Sequence, residues 1–147
     1  MRLVLALLGL TFAVAVQAAE PAPIGAIKTV AGDARILRSG QELKAEPGTP
    51  LQQADVLKTG ADGALGVTFR DNSTVSLGPN SDLAVETFVF EPAQNKYGFV
   101  SRMARGTAFF VSGAMAKLSP DSVSVVTPTS TIGVRGTRFL VEVDERS

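Results

Sequence analysis

The stretch Ala64-Leu65-Gly66-Val67-Thr68-Phe69-Arg70-Asp71-Asn72-Ser73-Thr74-Val75-Ser76-Leu77 decides the fold class. Leu65, Val67 and Phe69 alternate with small or polar residues, and Val75 and Leu77 do the same beyond Asp71-Asn72-Ser73. An apolar residue at every second position marks a strand with one buried face. Asp and Ser bond their own backbone and Asn tolerates positive φ, so the three residues between form a turn. The stretch therefore predicts two short strands joined tightly.

The same pattern extends in both directions. Upstream, Ile24 to Val30, Asp33 to Arg38 and Gln41 to Ala45 read as strands, broken at Ala31-Gly32 and at Glu46-Pro47-Gly48. Val56-Leu57 precedes the turn Gly60-Ala61-Asp62-Gly63, and Leu83 and Val85 follow Gly78-Pro79-Asn80-Ser81. Phe88 to Phe90 is a further apolar run, closed by the polar break Glu91 to Lys96. Tyr97 to Met103 suits a strand or a short helix, and Arg105 to Ser112 suits a strand. Gly113 to Lys117, rich in Ala and Met, is the best stretch for a helical turn. Val123 to Val126 and Ile132 to Val134 flank a Thr127-Pro128 corner, and Phe139 to Val143 is the last strand. Strands recurring about every 8–12 residues belong to sandwiches, barrels or solenoids. One internal echo bears on the choice: Arg105-Gly106-Thr107-Ala108-Phe109 returns as Arg135-Gly136-Thr137-Arg138-Phe139. That offset has the size of one solenoid coil. The expected fold is all-β, a short-stranded β-solenoid-like (β-helix-like) single domain, with a β-sandwich as the alternative.

Composition bounds the function. Met1-Arg2, the uncharged run Leu3 to Val16 and the small-residue site Val16-Gln17-Ala18 read as a signal peptide over residues 1–18, cleaved after Ala18. The run is shorter than the roughly 20 residues a membrane-spanning helix needs. The expected product is one domain over 19–147, periplasmic or secreted, with no membrane span after cleavage. The chain has no cysteine, so it lacks the residue that would carry a lipid anchor or a disulfide. With 14 basic and 14 acidic residues it offers no basic face for nucleic acid. Lacking both His and Cys, it cannot build a Ser-His-Asp triad, a thiol nucleophile or a zinc site of the usual ligands. These features point away from an enzyme and from a cofactor or metal site. The turn aspartates Asp55, Asp62, Asp71 and Asp82 would make a calcium cluster or an acid pair only if the fold gathered them.

From Asp55 onward the chain resembles the periplasmic domain of the FecR family, named for the ferric-citrate regulator. Ala54-Asp55-Val56-Leu57-Lys58-Thr59-Gly60 is similar to the family's opening. Val67-Thr68-Phe69-Arg70-Asp71-Asn72-Ser73-Thr74-Val75-Ser76-Leu77-Gly78-Pro79-Asn80-Ser81 follows its strand, Asp-Gly-Ser turn and Leu-Gly-Pro-x-Ser, with Asn72 at the Gly position. Thr127-Pro128-Thr129-Ser130-Thr131-Ile132-Gly133-Val134-Arg135-Gly136-Thr137-Arg138-Phe139 resembles its Thr-Pro, spacer and Val-Arg-Gly-Thr-x-Phe. The resemblance covers about 55–143. Signalling members carry a cytoplasmic sigma-factor-binding segment and a membrane helix, which are not seen in this sequence.

The resemblance implies an exported module that binds a protein partner in cell-envelope signalling or scaffolding. An envelope polysaccharide or peptidoglycan is the alternative ligand. Asp55, Thr59, Asp71, Gly78, Pro79, Thr127, Pro128, Gly133, Arg135, Gly136 and Thr137 form the family motif, and their chemistry is mostly that of turns and corners. Arg135, Arg138 and Phe139 are the candidate partner-binding residues. Two roles for Arg135 stand side by side. It would serve as a binding arginine, or it would bond turn carbonyls or an acid such as Asp55 or Asp71. The last strand, 139–143, is the expected open edge.

Overall fold

The computed structural model describes residues 13–17 and 21–144. The leader and its cleavage point lie outside these residues except for 13–17, which form neither helix nor strand. The strands are β1 (Gly25–Ala31), β2 (Ala34–Arg38), β3 (Gln41–Lys44), β4 (Pro50–Leu51), β5 (Val56–Thr59) and β6 (Ala64–Phe69). They continue with β7 (Thr74–Leu77), β8 (Asp82–Glu91), β9 (Lys96–Val111), β10 (Val123–Val126), β11 (Thr131–Gly133) and β12 (Arg138–Val143). One short helix, α1 (Ala114–Leu118), follows β9.

The deciding stretch folds as read. Leu65, Val67, Phe69, Val75 and Leu77 are all buried, and β6 pairs with β7 across Asp71-Asn72-Ser73. Asn72 takes φ 65°, the left-handed turn conformation. All-β is correct, but the parallel stacking of solenoid coils is not the arrangement found. The strands run β3-β2-β5-β8-β9-β7-β6-β1-β4 in one curled sheet. Among the described residues every pairing is antiparallel except that of β9 with β10. The pentapeptide echo has a different cause. The first copy lies within β9 and the second leads into β12, and these strands lie side by side, with Phe110 opposite Phe139 and Phe109 opposite Leu140.

Strand β9 holds the curl together. Its first part pairs with β8 and its last part with β7. The bend between them falls at Gly106, whose φ is +91°. A Cβ there would sit 2.2 Å from Ser81 Oγ and 2.5 Å from Ser81 Cα, so no other residue fits without rebuilding the turn. Because the sheet curls, its two halves share one core. Phe69 of β6 meets Phe88 of β8 and Phe99 of β9 at centroid distances of 5.5 and 4.7 Å. Such contacts add about 0.5–1.5 kcal/mol each beyond the area they bury.

On the other flank of β9 the sheet divides. β10 lies along Phe99 to Arg102 and carries β11 outside it. β12 lies along Gly106 to Val111 and has no strand on its far side among the described residues.

Candidate functional site

The amino-terminal motif residues are consumed by the fold. Asp55 is 1% exposed and takes two hydrogen bonds from the Arg38 guanidinium, at 2.9 Å from Nε and 2.7 Å from Nη2. The Gln52 backbone N–H donates to the same carboxylate at 2.8 Å. This bidentate pair, with a buried carboxylate and a partly exposed guanidinium, ties β2 to the entry of β5. Removing Arg38 should cost about 3 kcal/mol, because the Asp55 carboxylate stays buried without its cation.

Asp71, also buried, accepts from the Ser73 N–H at 3.1 Å and the Ser73 hydroxyl at 2.5 Å. Its second oxygen accepts from the Met115 N–H at 3.3 Å, and its carbonyl from the Ala114 N–H at 2.8 Å. The Asp71 turn therefore anchors α1. Thr59 donates to the Gly78 carbonyl at 2.6 Å and accepts from the Ser81 N–H at 2.9 Å. Ser81 Oγ in turn accepts from the Thr107 N–H at 3.0 Å. Gly78 and Pro79 shape the turn over this polar knot, Pro79 on its exposed side, and the knot joins β5 to the bend of β9.

The turn aspartates are thus held apart. Asp82 faces Lys58 at 3.7 Å and Arg105 at 3.2 Å, and Asp62 accepts from the Asp33 N–H at 3.3 Å. No group of three metal-ligating side chains forms among the described residues.

The carboxyl-terminal motif residues are arranged differently. Arg135 is exposed, with Asp121 at 3.7 Å and equally open to water. Asp55 and Asp71, the acids considered as its partners, are occupied elsewhere. Gly133 and Gly136 have open space where a Cβ would be. Thr127 and Ser130 close the β10–β11 turn on each other, through Thr127 N–H to the Ser130 carbonyl at 2.8 Å. Pro128 is exposed on that turn. Among the described residues Gly136 and Thr137 are held by Ser112: its hydroxyl reaches the Gly136 carbonyl and its N–H the Thr137 carbonyl, each at 2.8 Å.

That last bond fixes which way the edge faces. Ser112 and Thr137 form a hydrogen-bonded antiparallel pair, and such pairs alternate along a ladder. Phe139, Val141 and Val143 therefore turn their backbone groups toward β9. Arg138, Leu140 and Glu142 turn theirs outward. Phe139 stacks on Phe110 with ring centroids 4.7 Å apart and an interplanar angle of 4°. Its ring fastens the strand, so it is half-buried rather than displayed. Arg138 is exposed beside the free edge.

Two residues not foreseen complete this surface. Leu140 is 63% exposed and Phe109, directly opposite it, 41%. The signal was present in sequence: Phe109-Phe110 and Phe139-Leu140-Val141 put apolar side chains on both faces of a strand, where one buried face needs only alternate positions. An open groove of about 860 Å³ runs beside this edge, between residues 127–130 and 140–144.

These features define an all-β module with a braced body and one open, apolar-centred edge. The family model described as FecR protein matches residues 55–147, and the chain belongs to that family. It is a family of signalling regulators, which points to a module of cell-envelope signalling. No curated protein and no solved structure matches the chain. Among the described residues no helix is long and apolar enough to cross a membrane.

Proposed function

We propose that this protein is exported to the periplasm or beyond the cell and binds a protein partner in envelope signalling or scaffolding, without chemistry of its own. The observation that carries this is the free edge of β12. Its outward backbone donors and acceptors at Arg138, Leu140 and Glu142 can extend the sheet by one strand of a partner. The other sheet ends suit that role poorly. β4 is two residues long and contains Pro50, β11 is three residues long and ends in Gly133, and β3 bears Glu42 and Lys44. Short or proline-bearing edges resist strand addition. β3, four residues long with a charge at every second position, offers less edge than the six residues of β12, which keep the apolar Leu140 between their two charges.

Crosslinking in cells, followed by capture of the tagged protein from the envelope, tests the proposal. One dominant protein adduct that disappears in Leu140→Pro is the expected result, since proline removes the outward N–H without touching the ladder to β9. Equal capture by a folded Leu140→Pro variant would overturn the assignment to this edge.

A further inference from the structure

The outward face of β12 reads Arg138, Leu140, Glu142: a cation, an apolar residue and an anion at equal spacing. Turned end for end about Leu140, the sequence meets its own complement. We infer that the strand added to this edge is β12 of a second copy, antiparallel about a two-fold axis at Leu140. This rests on the reading of β12 as the binding edge and names its occupant.

The hydrogen-bond phase allows this register. Leu140 would face Leu140 of the second copy as a hydrogen-bonded pair, because its N–H and C=O both point outward. Arg138 and Glu142 share that phase, so each faces the other across the axis and bonds through the backbone as well. Their side chains lie on the same face of the sheet and form opposite-charge cross-strand pairs, the favourable arrangement. Between them Phe109, Leu140, Leu140 of the second copy and its Phe109 make one apolar row. These are two of the few large apolar side chains that the described fold leaves open to water. A two-fold interface uses the same patch on both partners, and Arg-x-Leu-x-Glu on one strand is such a patch. The groove beside the edge leaves space for the incoming strand.

The test uses the absence of native cysteine. Hydrogen-bonded antiparallel pairs hold Cα atoms about 5.5 Å apart, within the disulfide range of about 4.4–6.8 Å. Under mild oxidation, purified Leu140→Cys is expected to form a disulfide dimer at least tenfold faster than Glu42→Cys on the opposite edge. Arg138→Cys alone should stay slow, and a mixture of Arg138→Cys with Glu142→Cys should link rapidly. In sedimentation of the wild type, mass should rise with concentration toward that of a dimer. Arg138→Glu and Glu142→Arg should each weaken the dimer at least tenfold, and the double swap should restore it. A monomer throughout, with Leu140→Cys no faster than Glu42→Cys, would overturn self-pairing. Continued capture of an envelope protein at Leu140 would then show that the edge binds a different strand, whereas loss of both would remove the edge reading too.

Discussion

Two copies of one pentapeptide pattern, Arg-Gly-Thr-x-Phe, sit on neighbouring strands and do opposite things. In the first, Gly106 bends β9 against Ser81, Thr107 bonds Ser81 Oγ, and Arg105 meets Asp82. In the second, Gly136 has empty space around it, Thr137 is exposed, and Arg135 stands in solvent beside Asp121. The same residue types are structural where Ser81 and Asp82 engage them and available where no such neighbours stand. Local sequence sets what a segment can do; its neighbours decide whether that capacity is used internally.

The largest expected contrast lies at the glycines. Gly106→Ala adds a clash with Ser81 to a left-handed backbone, and should cost about 4 kcal/mol in urea unfolding. Gly136→Ala carries backbone strain alone, since its φ is +141° with no neighbour within 4 Å, and should cost about 1–2 kcal/mol. Equal costs would erase the distinction between the two copies.

The next contrast sharpens the facing of β12. Val141→Pro removes a ladder hydrogen bond and a buried side chain, for a loss of roughly 3 kcal/mol. Leu140→Pro, one residue away, should cost about 1 kcal/mol or less. A reversed order would mean that the strand faces the other way. Phe139→Ala should then cost about 2 kcal/mol, because a half-buried ring stacked on Phe110 is lost. Arg135→Ala should change stability by less than about 0.5 kcal/mol, while lowering partner affinity about tenfold. Thermal and chemical unfolding check the first figure, and titration against the captured partner checks the second.

The body of the fold was legible because burial there obeys period two. Leu65, Val67, Phe69, Val75 and Leu77 needed nothing beyond alternation. Legibility failed where an extra residue enters a strand. Glu86 is such a residue in β8, shifting the pairing between Val85 and Thr87, so Leu83-Val85 and Phe88-Phe90 read as two runs rather than one strand. Ala104 is an extra residue of the same kind in β9, opposite the step from Asp82 to Leu83, and with the bend at Gly106 it hid that the two parts of β9 join the two halves of the sheet. The Arg38–Asp55 brace was illegible for another reason. It depends on β2 pairing with β5, a non-local contact that periodicity does not report. At the candidate site the open edge was legible as the last strand. Its direction needed the Ser112–Thr137 bond, and Leu140 was masked by the apolar run around it.

The most direct test of the central claim places a photo-crosslinking residue at Leu140 on β12 and, separately, at Glu42 on β3, in cells. The account predicts a discrete protein adduct from position 140 and none from position 42. Adducts of equal yield from both edges, or from neither, would contradict the assignment of partner binding to the carboxyl-terminal edge.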